Sequence, residues 1–245
     1  MAANIPQANH PPHSLNGHNL PSTIYSRSYC GRATVALVLM LFLQWQMVSA
    51  LDFGHLLAAL KRYGGQAGMF ENWQGMLSKA QALPAREKLM RINEFFNRSI
   101  QSSDDQLIWG QSDYWATPME TLAKGSGDCE DFAIAKYFSL IHAGVPVNKL
   151  RLVYVKARIG GPHSDITQAH MVLAFYDTPD AEPLVLDSLI TDIRPASRRA
   201  DLVPIFSFNS EGVWGTLNGN DASFSTSRLS RWQKLLLRAR AEGFE

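Results

Sequence analysis

Cys129 is the only cysteine after residue 50 of a 245-residue chain, in the segment Gly125-Ser-Gly-Asp-Cys129-Glu-Asp-Phe-Ala133. Glycines and an aspartate precede it and an apolar pattern at helical spacing follows, so the sulfur is expected at the start of a helix. Asp128 suits the N-cap of that helix, with Asp131 three residues on. At such a position the unpaired N–H groups and the helix dipole favour a thiolate. The glycines would let a substrate backbone approach the sulfur closely. Nucleophilic attack on an acyl carbon is the chemistry that follows. A buried, inert cysteine is the commoner fate of a lone cysteine; the helix-start position points the other way.

A nucleophile of this kind needs a base and a group that orients the base. Of the four histidines after residue 50, His55 and His142 fall on predicted helices and His163 in a Gly-Pro loop, whereas His170 begins a predicted strand. Strands hold side chains more rigidly than loops do. Asp187 ends the next strand in the apolar run Leu184-Val-Leu-Asp187, an unusual place for an unpaired carboxylate. A hairpin turning near residues 179–180 sets Val172 opposite Asp187 and puts His170 within diagonal reach on the same face. A slip of one residue would put the two on opposite faces.

The elements that must position these residues read as helices first and strands after. Phe53, Leu56, Leu57 and Leu60 mark a first helix, and Leu89, Ile92, Phe95 and Phe96 one face of a second over about 85–100. An aromatic loop from Trp109 to Trp115 and a turn at 119–123 lead to the Cys129 helix, which Gly144 and Pro146 end. Strands follow at 150–157, 170–176 and 183–187. The chain beyond 190 reads as irregular until a basic amphipathic helix at about 227–241. There Leu229, Trp232, Leu235 and Leu236 pack inward and Arg228, Arg231, Lys234, Arg238 and Arg240 form a solvated face, with docking to an acidic partner the lesser alternative. The class is α+β, with one helix packed on an antiparallel sheet.

Residues 1–50 read as an address rather than as fold. A Pro-, Asn- and Ser-rich stretch leads to Arg27 and Arg32, an apolar run at about 33–48 and the small residues Ser49-Ala50. This is the pattern of a secretory signal peptide with a long polar n-region, cleaved after Ala50; an uncleaved membrane anchor is the lesser alternative. Either places residues 51–245 in the periplasm, as one domain of 195 residues. That domain carries 21 basic and 22 acidic residues, net −1, which excludes a dedicated nucleic-acid binder. Its single cysteine excludes a disulfide scaffold and a multi-cysteine zinc site.

Asp128, Glu130 and Asp131 flank the sulfur, and each disfavours a second negative charge beside it. Clustered carboxylates suit Ca²⁺ better than a soft metal, and a bound ion would cancel the acidic field. The bland alternative is a solvated acidic helix start.

Three segments, Gly-Asp-Cys129-Glu-Asp-Phe-Ala, Ala-His170-Met-Val-Leu-Ala-Phe-Tyr and Pro-Leu-Val-Leu-Asp187-Ser, together resemble the bacterial transglutaminase-like cysteine proteinases of LapG type. The likeness extends from the Asp113-Tyr-Trp-Ala-Thr-Pro118 loop through Phe206-Ser-Phe-Asn209, with Ser188 departing from the Asn common after the triad Asp. It implies a papain-like or transglutaminase-like core with Cys129 as nucleophile, His170 as general base and then acid, and Asp187 as the residue that orients the imidazole. It implies Ca²⁺ held by Asp128, Glu130 and Asp131, with Asp113 contributing from the preceding loop. Proteases of this type release a large surface adhesin by cutting near its N-terminus, between two alanines. An inner-membrane receptor that senses cyclic di-GMP holds them in check. The Cys129 N–H is a natural oxyanion donor and Gln111 a candidate for the second. Two other readings stay open: an amide-transferring transglutaminase, and a calcium-binding interaction module without catalysis.

Overall fold

Why the first half is helical follows from where its apolar residues fall. In α1 (Phe53–Arg62), Leu56, Ala59 and Leu60 line one face, and the Asp52 side chain caps the start by accepting the His55 N–H. In α2 (Ala67–Gln81), Phe70, Trp73, Leu77 and Ala80 are buried at spacings of three and four. In α3 (Ala85–Ser99), Leu89, Ile92 and Phe96 do the same. The computed structural model describes residues 51–161, 164–215 and 220–244, the side chains of residues 220–228 aside. The expected signal segment and His163 lie outside the described residues. No helix among the described residues is long and apolar enough to cross a membrane.

A short α4 (Asp105–Trp109) and α5 (Pro118–Lys124) follow. Thr117 and Glu120 form a capping box at the start of α5, and Gly125, at φ +62°, ends it in the left-handed conformation that glycine adopts without strain. The two-residue strands β1 (Gln101–Ser102) and β2 (Ser126–Gly127) pair in parallel and fix the loop that leads into α6 (Cys129–His142). Every residue of α6 from Glu130 to Leu140 is buried. Such a helix is central rather than amphipathic.

The second half is a six-stranded antiparallel sheet in the order β6-β5-β4-β3-β7-β8. Its strands are β3 (Leu150–Arg158), β4 (Thr167–Phe175), β5 (Leu184–Leu186), β6 (Arg194–Pro195), β7 (Leu202–Phe208) and β8 (Val213–Trp214). Met171, Leu173 and Phe175 of β4 and Leu186 of β5 join the main core beneath the helices. By the alternation of a strand, Val172, Ala174 and Val185 face the other way and, with Val153 and Val155, form a second small cluster on the far face. This is the α+β arrangement the sequence predicts, with α6 laid on β3 and β4.

Helix α2 falls in a stretch that the sequence pattern leaves unassigned, where Gly68 and Gly75 interrupt it; burial of Trp73 and its neighbours decides it. Three expectations need correction. The chain from 190 to 227 is not irregular: β6, β7 and β8 extend the sheet. Pro204 hides β7, and the strand tolerates it because β8 pairs only with Ser207 and Phe208, leaving the edge open at residue 204. The last helix, α7 (Asn220–Glu242), starts earlier than 227. Trp232 and Leu235 pack inward as expected, but its basic face is not wholly solvated: Arg231 pairs with Asp113 at 3.1 Å and Arg238 lies over the Tyr114 ring.

Candidate active site

Two loops and two strand ends converge on the start of α6. Asp128 caps the helix, its Oδ1 accepting the N–H groups of Glu130 (3.1 Å) and Asp131 (3.4 Å), and Asp131 returns the bond to the Asp128 N–H. Cys129 is therefore the first helical residue. Asp131 also accepts the Ala116 N–H at 2.8 Å and so ties the aromatic loop to the helix. Gly127 makes room for this: a Cβ there would stand 2.8 Å from the Asp131 Cβ. The glycine thus serves the fit of Asp131 as well as access to the sulfur.

On the sheet, the pairing Leu173↔Leu186 extends to Val172 opposite Asp187, the register that the turn spacing predicts. His170 Nε2 lies 2.7 Å from Asp187 Oδ1, both side chains buried. Since β5 stops at Leu186, the edge of β4 is open at Met171, and the Met171 N–H bonds the Cys129 thiol. Cys129, His170 and Ser188 line one cavity of about 410 Å³, within the range of ligand clefts. With Nε2 engaged by Asp187, Nδ1 is the nitrogen left to exchange a proton within that cleft. Gln111 is exposed and does not line it.

The Asp187 carboxylate is held from several sides. Burial works against its charge; the contact with His170, the Leu189 N–H at 3.0 Å and Arg199 at 2.7 Å more than offset that and bring its pKa down to about 2. Its carbonyl oxygen accepts Asn97 Nδ2 (2.8 Å) and Lys136 Nζ (3.1 Å). Lys136 is fully buried on α6, and burial lowers its ammonium to about 7 against the opposing pull of Asp187.

Around the sulfur the balance runs the other way. Burial pushes the thiol well above 9.0, the Glu130 and Asp128 carboxylates add to the rise, and Glu130 Oε2 accepts the S–H at 2.7 Å. A helix dipole contributes at most about 2 kcal/mol, and here it is outweighed. Asp128 is raised to about 9 by burial and by Glu130 and Asp131, and Asp131 also lies well above its ordinary value, chiefly through burial.

Carboxylate oxygens of Asp105, Asp128 and Asp131 come within 4.8 Å of one another, as do ligand atoms of Asp128, Cys129 and Glu130. Asp105, at the start of α4, is the member that sequence reasoning missed. Its pKa rises to about 6 through burial, its Oδ2 accepts the Tyr114 N–H, and its buried Oδ1 has no partner. Crowded hard oxygens whose burial and mutual repulsion disfavour their charges, one of them without a partner, fit a divalent cation such as Ca²⁺. Asp113 borders the cleft but pairs with Arg231 and is not one of the clustered acids.

Residues 73–221 match the family model described as bacterial transglutaminase-like cysteine proteinase. Among solved structures, Legionella pneumophila LapG is 38% identical over 75% of this chain and 97% of its own, with a TM-score of 0.61. Its calcium-bound form is 36% identical over 73% and 99%, with a TM-score of 0.59, and an EGTA-treated form has 38% identity and a TM-score of 0.61. Curated protein sequences give no match.

Proposed function

The chain belongs to the bacterial transglutaminase-like cysteine proteinases, and from that premise we propose that it is a calcium-dependent periplasmic endopeptidase. It cuts the N-terminal region of a large surface adhesin at a di-alanine site. The cut releases the adhesin and promotes biofilm dispersal, under control of an inner-membrane receptor that senses cyclic di-GMP. Residues 1–50 direct export, and residues 51–245 are the protease domain.

The observation that carries the reading is the Cys129 thiol at a helix start, in one cleft with a histidine whose Nε2 is already bonded to a buried carboxylate. Cys129 Sγ attacks the scissile carbonyl carbon while the thiol proton passes to Nδ1 of His170. The Cys129 N–H, which lacks a partner within the helix, faces the developing oxyanion. When the C–N bond breaks, His170 returns the proton to the leaving amine. It then takes one from the water that attacks the thioester, and gives it back to the sulfur as the acid product leaves. Asp187 keeps the ring in one tautomer and offsets its positive charge.

Asp128, Asp131, Asp105 and Glu130 would hold the Ca²⁺ that the acid cluster fits. A bound ion would neutralise the field that keeps the thiol protonated. The calcium-bound LapG structure supports this reading.

The test incubates the protein with an adhesin N-terminal segment containing a di-alanine and weighs the fragments. Cleavage is expected with calcium, none in excess EGTA, recovery on adding calcium back, and none from Cys129→Ala. Full activity in EGTA would remove calcium from the reading, and cleavage by Cys129→Ala would remove the nucleophile. Incorporation of an amine in place of hydrolysis would favour transglutamination.

A further inference from the structure

Asp187 is gripped from the face of the sheet that points away from α6. The segment from β6 to β7 crosses that face, with Ala196 and Leu202 packed on Val153, Val155, Val172 and Val185. A single 3₁₀ turn (Ala196–Arg198) and the bond from the Leu202 N–H to the Arg199 carbonyl fix the backbone on either side of Arg199. The Arg199 side chain is 2% exposed. Its Nη2 donates to Asp187 Oδ2 at 2.7 Å, and its Nε and Nη2 donate to Asp201 Oδ1 (3.0 Å) and Oδ2 (2.7 Å). Asp201 is rooted in turn, its carbonyl accepting the Arg158 N–H of β3 at 2.8 Å. A two-pronged guanidinium–carboxylate pair is rigid as well as charged, which a single ammonium contact is not.

We infer that Arg199, braced by Asp201, is a positioning residue that fixes the Asp187 carboxylate against His170. This rests on the assignment of Asp187 as the orienting carboxylate. Asp187 has two oxygens and two duties: Oδ1 serves His170 and the Leu189 N–H, and Oδ2 serves Arg199. Without the guanidinium, Oδ2 is a buried anionic oxygen with no donor, a state that a carboxyl leaves by taking up a proton. A protonated Asp187 would donate to Nε2 instead of accepting from it, and the free lone pair of His170 would move from Nδ1 to Nε2. The ring could then no longer take the thiol proton.

Ring-nitrogen NMR of His170 tests this on the full chain carrying Cys129→Ala, so that no thiolate perturbs the ring. Nε2 is expected to be protonated and Nδ1 unprotonated with Arg199 in place, shifted toward the reverse in Arg199→Met, and largely restored in Arg199→Lys. In chains with Cys129 intact, cleavage of the adhesin segment should show kcat down about 10- to 100-fold in Arg199→Met with KM within about twofold. Arg199→Lys should recover part of the loss, and Arg198→Gln, at an exposed neighbouring position, should change nothing. An unchanged tautomer and unchanged kcat in Arg199→Met would overturn the inference. If that variant does not fold, Asp201→Asn takes its place: a partial shift of the tautomer supports the clamp, and none overturns it. A wild-type chain that fails to cut the segment while the tautomer still follows Arg199 would sink the protease reading and leave the clamp standing.

Discussion

The proton on Cys129 is where opposing local effects meet. The helix start favours losing it; burial, Glu130 and Asp128 favour keeping it, and in the ion-free protein they win. Calcium should therefore lower the thiol pKa, and alkylation of Cys129 by iodoacetamide at pH 7, located by mass spectrometry, is expected to speed up on adding calcium. Asp105→Asn keeps the shape of the site but removes a charged oxygen, so calcium affinity by titration calorimetry should fall at least about tenfold. Asp187→Asn leaves room for the same contacts but presents an N–H to a ring nitrogen or to Arg199. A loss of roughly 10³- to 10⁴-fold in kcat is expected, with a fall in unfolding temperature because the buried Arg199 loses one of its two carboxylate partners. At this scale Cys129 and its flanking acids are legible because the residues adjoin in sequence. Asp105 and Arg199 are not, since nothing in Asp104-Asp105 or Arg198-Arg199 signals that a fold turns one member of each pair inward.

Helix α6 shows how one element gathers the site. Its cap, its first-turn acids and its cysteine are consecutive residues, while Lys136 on the same helix reaches the Asp187 carbonyl from inside the core. Gly127 is the tightest point of the loop that feeds it. Gly127→Ala would press a methyl group against Asp131, costing about 1–3 kcal/mol in unfolding free energy and weakening calcium binding with it; denaturant unfolding and calorimetry would show both. Strands β4 and β5 place His170 and Asp187 through a register that turn spacing alone predicts. Helix α2 and strand β7 escape such reading because glycine and proline break their patterns, and only the neighbours they pack against or pair with make those residues acceptable.

At the scale of the described residues, the first and last helices close on each other. Glu242 of α7 is buried, accepting the Tyr63 hydroxyl at the C-cap of α1 and the Thr117 hydroxyl at the cap of α5, each at 2.9 Å. Burial, with Glu120 adding, pushes its carboxyl up to about 7 against the Thr117 and Tyr63 bonds and Arg238. An acid whose folded-state pKa is raised favours folding most below its unfolded value near 4.5, and that contribution fades as pH climbs through 7. Glu242→Gln should therefore flatten the fall in unfolding temperature between about pH 4.5 and 7 relative to wild type. Trp73 joins α2 to α6 through Ser139 and stacks edgewise on Phe53 and Phe244. The sequence by itself determined the class of fold, the helix start that carries a thiol, the His–Asp register and the local acid cluster. Each is a short-range pattern: a cap, a periodicity, a turn length, a run of charge. The tertiary structure alone decided which distant groups complete them: Asp105 in the acid cluster, Arg199 and Lys136 on Asp187, and Arg231 drawing Asp113 aside. Those pairings join residues twelve or more positions apart, and their energy exists only once the packed core brings them together and excludes water.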